Sequence, residues 1–310
     1  MGRRRAGDRI AARMAKLNLG VNPLMVRELR GYMRGTRACA VLTVYIAIVS
    51  GIALLLYMGV SLANPISGVG NSSEVGSILF YVVVGLQIVL VSFVGPAFTV
   101  SAISGERERH TFGLLKITLL SPRQIVWGKL IPVLGYVLLL VLATIPLFSL
   151  AFLLGGVEPA QFAVALCVIL ASAALFTTLG LFVSSRAHNT LSATIVTYSI
   201  VVGIVIGLSV LPTLVFPALA GLGGRAGASS AAPVFTALFI ALISLSPIGA
   251  LVASEANFVN TGNLLTLTIG PLALPTPIVL PAPFLILTAC YLGASGILLW
   301  LTARAVRDRA

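Results

Sequence analysis

The sequence predicts an all-α polytopic membrane protein, and three observations predict it. Hydrophobic residues make up 58% of the 310, charged residues only 9%, and the mean hydropathy is +1.09. A water-soluble domain carries roughly 25% charged residues. Apolar stretches recur along the chain, at or above the roughly 20 residues that cross a bilayer. The basic charge is confined to a few places. Residues 1–37 hold ten of the 20 Lys and Arg; Arg107, Arg109, Lys116, Arg123 and Lys129 fall in 105–129; Arg304, Arg307 and Arg309 end the chain. Only Arg186 and Arg225 lie elsewhere. The net charge of +12 therefore follows the positive-inside pattern, and no nucleic-acid partner is expected.

The elements follow in order. The first span is expected over 38–63 and the second over 77–104. Between them lies NPISGVGNSSEVG, turn-rich, with one acid, Glu74, and no base. The third span is expected over 130–154 and the fourth over 161–184. Their five-residue connection, GGVEP, makes them antiparallel neighbours and carries only Glu158. SSRAHNT (184–190) leads to a fifth span over 191–211, and the last clear span is 284–303. Segments 1–37, 105–129, 185–190 and 304–310 are then cytoplasmic, and those with Glu74 and Glu158 lie outside. Both termini are cytoplasmic, so the number of spans is even.

Residues 212–283 hold nine prolines. An apolar block at 234–252 contains Ser246-Pro247 and either crosses or re-enters from the outer side. If it crosses, the proline-rich 264–282 must cross back, giving eight spans. The expectation is six spans with a re-entrant outer segment, because irregular backbone at membrane depth survives only under a cover of protein or water. The organisation is one membrane domain, 38–303, between a basic N-terminal segment, 1–37, and a short tail, 304–310. Cys39, Cys167 and Cys290 all fall in apolar stretches and offer no disulfide or metal spacing. The basic start is not followed by an apolar h-region, so no cleaved signal peptide is expected, and Ala6 breaks the myristoylation pattern.

Two polar stretches carry the functional signal. In 22–37, NPLMVRELRGYMRGTR, Asn22 suits an N-cap and Pro23 the first helical position. Met25, Val26, Leu29, Tyr32 and Met33 share one arc; Arg27, Arg30, Arg34 and Arg37 share an adjacent one. That is an amphipathic interfacial helix with arginines reaching lipid phosphates, against the plainer reading of a basic flank to the first span. In 105–129, Glu106–Leu119 is a helix candidate with Phe112, Leu115 and Leu119 on one face and two acids in its first turn. Ser121, Pro122 and Gln124 then form a capping box for the helix entering the third span. The result is a projecting elbow, either a docking surface for a soluble partner or a solvated connection.

Other features are weaker. Gln87, Thr99, Thr144, Ser172, Thr177 and Thr178 are polar positions within spans, expected to bond their own backbone or a neighbouring helix. Gly95-Pro96, Pro132 and Pro146 are expected to bend the second and third spans. Ser199, Gly203 and Gly207 form a small-residue stripe on the fifth span, expected to pack within the chain, with a dimer axis as the alternative. His110 and His188 are expected at the surface. The spans' near lack of ionisable residues argues against an ion-coupled carrier.

Three segments carry a resemblance. NPLMVRELRGYMRGTRA, ISGERERHTFGLLKITLLSPRQIVWGKL and LSPIGAL (245–251) are similar to the membrane subunit of type-2 ABC exporters. Gly105-Glu106-Arg107-Glu108, Thr111-Phe112-Gly113-Leu114-Leu115, Leu120-Ser121-Pro122 and Gly128-Lys129 follow the family's middle motif; His110, Gly113 and 116–119 depart from it. The resemblance implies that 105–129 is a cytoplasmic coupling helix contacting a separate ATPase through Glu106, Arg107, Glu108, Thr111, Phe112 and Leu115. It implies that 22–37 is the connecting helix, with Arg27, Arg30, Arg34 and Arg37 at the membrane interface, and that 212–283 holds the outer re-entrant elements.

No G-x-x-x-x-G-K-[ST] is present, since Gly128-Lys129 runs into Leu130. The chain is thus expected to be no enzyme and to hold no cofactor, with ATP-Mg bound by the partner. A second permease chain, identical or related, would complete the path in a bacterial-type plasma membrane. A non-transporting scaffold or assembly factor is the alternative. An enzyme acting on lipid ranks below it, because no nucleophile, metal cluster or paired acids stand at an interface.

Overall fold

The computed structural model describes residues 36–63, 72–109, 122–215, 232–269 and 278–308. The interfacial helix expected at 22–37 lies outside them but for its last two positions, as does 110–121 of the expected elbow. The described residues are helical but for one short ribbon, and six helices are long and apolar enough to cross a membrane. The protein is an all-α polytopic membrane protein with six candidate spans.

The first span is the helix Thr36–Ala63. The second is Ser72–Thr99, continued through one turn into the short helix Ser104–Glu108. The third is Pro122–Ala143 and Ile145–Leu153, joined at Thr144. The fourth is Pro159–Arg186. The fifth runs Thr190–Val215 and contains a π-helical turn at Gly203–Gly207. The sixth is Pro283–Asp308. Pro96 and Pro132 sit inside continuous helix, whereas the third span breaks beside Pro146. Pro146 has no N–H to give and its ring crowds the carbonyl four residues back.

The fourth span is the axle. Of its apolar window 67% is buried, against 17% for the first and fifth spans and 22% for the sixth. It packs along the second span with no room to spare: a Cβ on Gly95 would lie 2.7 Å from Thr177 Oγ1, and one on Gly180 would lie 2.4 Å from Thr99 Oγ1. Without a hydrophobic effect between helices in lipid, such close approach is what holds spans together. Ser172, Thr177, Thr178 and Thr99 each donate to a carbonyl of their own preceding turn, as expected. The small-residue stripe of the fifth span is different. Nothing lies within 4 Å of a Cβ added to Gly203 or Gly207, and Ser199 and Gly203 are exposed. The expected packing of this stripe within the chain is therefore not found among the described residues.

Between the fifth and sixth spans, Ala232–Ser244 and Pro247–Thr261 form a helical hairpin. At 1.5 Å per residue the described lengths of these helices are about 20 and 22 Å, short of the ~30 Å apolar core, and among the described residues neither is long enough to cross. The elbow is capped by Ser246, whose Oγ accepts from the Gly249 N–H, with Pro247 at the first helical position. Tyr291 donates to the Leu245 carbonyl at 2.7 Å. Tyr291 lies eight residues, about 12 Å, inside the sixth span, so the hairpin dips into the bundle and returns. That is the re-entrant arrangement, and the eight-span alternative is set aside. The hairpin enters from the bundle end that carries Glu74 and Glu158. Gly262, in the left-handed region at φ 68°, ends it. A ribbon, Thr266–Ile269 antiparallel to Ile278–Pro281, follows; the all-helical reading of the sequence did not foresee it.

Gly180→Val should lower the unfolding midpoint by the equivalent of about 1–3 kcal/mol, the usual cost of overpacking. Gly135→Ala on the third span, with nothing within 4 Å, should leave it unchanged. Thermal unfolding of the purified chain in detergent reads both.

Candidate functional site

At the end of the bundle holding 105–129, charged side chains tie four spans together. The second span passes through Val100–Ile103 into Ser104–Glu108, and Ser184 of the fourth span receives it. The Ile103 and Ser104 N–H groups both donate to Ser184 Oγ at 3.0 Å. Two backbone donors that the turn leaves without helical acceptors are thereby satisfied.

Each charged residue of the Glu106-Arg107-Glu108 run then reaches a different span. Glu106 accepts from Lys129 Nζ at 2.6 Å, at the start of the third span, and the same ammonium donates to the Ala102 carbonyl at 2.8 Å. Lys129 is only 5% exposed, so this pair compensates a buried charge. Arg107 donates to the Ala187 carbonyl at 2.5 Å and the Ser185 carbonyl at 3.3 Å, at the end of the fourth span. Those carbonyls are ones the fourth helix cannot satisfy itself. Glu108 accepts from the Thr190 N–H at 2.8 Å and from Thr190 Oγ1 at 3.1 Å. Thr190 opens the fifth span, so this carboxylate sits on the positive end of a helix. Asn189 completes that start by accepting from the Ser192 N–H.

Of the six residues expected to meet a partner, the structure thus brings Glu106, Arg107 and Glu108 together as internal ties. Thr111, Phe112 and Leu115 lie outside the described residues. Arg27, Arg30 and Arg34 lie outside them too, and Arg37 stands in the first turn of the first span. His188 is exposed, as expected.

The other end of the bundle holds a polar group that sequence reasoning missed. Glu255, on the second hairpin helix, is 5% exposed. Its Oε2 accepts from Gln161 Nε2 at 2.8 Å and from the Tyr81 hydroxyl at 3.1 Å. Gln161 is itself fixed, since its Oε1 accepts from the Glu158 N–H at 2.7 Å. The signal available in the sequence was simple: Glu255 is the only acid between Glu158 and Asp308. Burial pushes its carboxyl above the ordinary 4.5, against the opposing pull of the Gln161 and Tyr81 hydrogen bonds.

Between these ends, Thr144 donates to Gln87 Oε1 at 3.1 Å, a buried bond linking the third and second spans. Gln87 and Thr144 are the two in-span polar residues of those singled out that bond each other across spans. An apolar groove of about 530 Å³ opens between the first three spans, lined by Ala53, Leu54, Tyr57, Leu79, Val83 and Leu150 among others. That volume suits a drug-sized molecule.

No family model matches the chain, and no curated protein matches it.

Glu106→Gln should destabilise the protein by about 3 kcal/mol, the lower figure for a broken buried pair, because Glu106 is 25% exposed while Lys129 is left charged inside. Glu106→Gln combined with Lys129→Met should recover most of that loss. A double-mutant cycle on the unfolding midpoint gives the coupling.

Proposed function

We propose that the chain is the permease subunit of an ATP-binding-cassette exporter, driven by a separate cytoplasmic ATPase. The observation that carries the reading is the set of ties at the base of 105–129. A rigid displacement of that segment would be passed directly to the second, third, fourth and fifth spans through Lys129, the 185 and 187 carbonyls, and Thr190. A solvated connection has no need of such ties. The resemblance of the same segment to the coupling region of type-2 exporters points the same way.

The roles within the segment then divide. Glu106, Arg107 and Glu108 transmit force inside the chain. Thr111, Phe112 and Leu115 meet the ATPase, with Phe112 filling an apolar pocket on it. ATP-Mg binds to the partner, and this chain supplies no catalytic group. ATP binding draws two such elbows together and swings the spans as rigid bodies between two arrangements. The second permease chain, identical or related, covers the thinly buried first and fifth spans, including the open stripe at Ser199, Gly203 and Gly207. The groove between the first three spans favours an apolar or amphipathic substrate.

The positive-inside pattern puts 105–129, 185–190 and both termini in the cytoplasm of a bacterial-type plasma membrane, and the hairpin on the outer side. Arg27, Arg30, Arg34 and Arg37 then lie in the cytoplasmic headgroup layer.

Phe112→Asp should abolish co-purification of the ATPase from native membranes while leaving insertion intact. Survival of the complex unchanged would overturn the docking assignment. Mass spectrometry of the wild-type pull-down names the ATPase.

A further inference from the structure

The third and sixth spans meet along a seam at the 105–129 end of the bundle. Ile125, Val126 and Leu130 of the third span pack in one cluster with Leu299, Ala303 and Val306 of the sixth. Successive helix residues turn by about 100°. Arg123 and Trp127 therefore stand on one flank of the seam on the third span, and Trp300, Arg304 and Arg307 stand on one flank of it on the sixth. The two spans run antiparallel, which turns both flanks to the same side. All five residues are exposed there.

The chemistry of this side changes with depth in the order that a phospholipid presents. Outermost are Arg123, in the first turn of the third span, and Arg307, in the last turn of the sixth. Trp127 and Arg304 come next, then Trp300. The Arg304 guanidinium lies 5.6 Å from the centre of the Trp300 ring, a cation–π contact that keeps the charge near the level of the ring. Indole favours the headgroup level, and its N–H is a donor that an ester carbonyl can accept from. About one turn deeper, Ile131 and Ile297 are exposed. A Cβ added to Gly296 would meet nothing within 4 Å. This lower part offers hydrocarbon and open space to an acyl chain.

The charge balance selects the headgroup. Arginine's planar fork grips phosphate oxygens in pairs. Of the acids at this end, Glu106 is held on Lys129, Glu108 is held on Thr190, and Asp308 closes the sixth span. Arg123, Arg304 and Arg307 thus outweigh the acid beside them. Basic pockets between spans hold anionic head groups.

We propose that the exposed side of the seam between the third and sixth spans is a binding site for an anionic phospholipid. Arg123, Arg304 and Arg307 hold the phosphate, Trp127 and Trp300 border the glycerol esters, and an acyl chain lies along Ile131 and Ile297. The site needs this end of the bundle at a membrane surface but needs no ATPase, so it goes beyond the transport reading.

Trp127 and Trp300 are the chain's two tryptophans, so intrinsic fluorescence reports on this seam alone. The test places the full chain in phosphatidylcholine nanodiscs with rising fractions of a lipid brominated on its acyl chains, which quenches indole only at contact. Half-quenching by brominated phosphatidylglycerol should come at a fraction roughly ten-fold or more below that of brominated phosphatidylcholine, since each arginine near the surface changes anionic-lipid binding about five-fold. Arg123→Gln and Arg304→Gln should each lower this preference about five-fold. Arg109→Gln removes the same charge from the same end, next to Glu108 at the start of the fifth span, and should leave the preference unchanged. Trp127→Phe and Trp300→Phe should each leave one indole with the wild-type preference. Equal quenching by the two lipids overturns the proposal. So does an Arg109→Gln loss as large as that of Arg304→Gln, which would mark a general attraction to basic charge. A preference kept by only one indole would separate the two flanks, and relief of quenching by soluble glycerol phosphate would make the ligand a free phosphate; either overturns the lipid site.

Discussion

The second and fourth spans meet with no space for a methyl group, and the architecture is hung on that contact. Gly95 faces Thr177 and Gly180 faces Thr99 at distances that exclude a Cβ. Because lipid tails are as apolar as leucine, only such intimate packing and internal hydrogen bonds select one helix arrangement over another. The fourth span, most buried of the six, then presents its two ends as fixed points. At one end Ser184, Ser185 and Ala187 receive the backbone and the arginine of the second span's extension. At the other, Gln161 receives the hairpin.

The two ends obey one rule, that polar groups removed from water find partners within the chain, but they satisfy it with different chemistry. The 105–129 end uses full charges: an ion pair, a guanidinium on bare carbonyls, and a carboxylate on a helix start. These are strong, directional and hard to slide, which suits an element that moves as a piece. The hairpin end uses neutral donors, the Gln161 amide and the Tyr81 hydroxyl, on the Glu255 carboxyl. The bundle is thus held by full charges at the 105–129 end and by neutral donors where the hairpin sits.

Much of this was legible in the sequence. Bilayer thickness sets the length of a span, so six of them could be placed from hydropathy alone, although the third begins at Pro122 and not at the expected 130. The separation of charge located the two ends. The Ser246-Pro247 pair marked the hairpin elbow as an interruption, although its role as a cap needed the structure. The ties were not legible. Glu255 finds its partners 94 and 174 residues away, and no periodicity links such positions. Arg107 bonds backbone carbonyls, which leave no trace in residue identity. Glu106 and Lys129 were each noted at opposite ends of one segment, and only the fold shows that the segment doubles back on itself. The ribbon at 266–281 was hidden among prolines that argue against strands.

The wide turn at Gly203–Gly207 has a geometric effect on the fifth span. A π turn adds one residue to an α-helix without adding a full step of rotation, so the helix above it is re-aimed relative to the helix below. Below the turn, Tyr198 stacks on Phe93 of the second span and donates to its carbonyl. Above it, Ser209 pairs instead with Ser246 at the hairpin elbow. One helix thus addresses two neighbours, the second span below the turn and the hairpin elbow above it. The inserted residue works as a phase shifter, matching the register of the bundle to that of the structure plugged into its mouth.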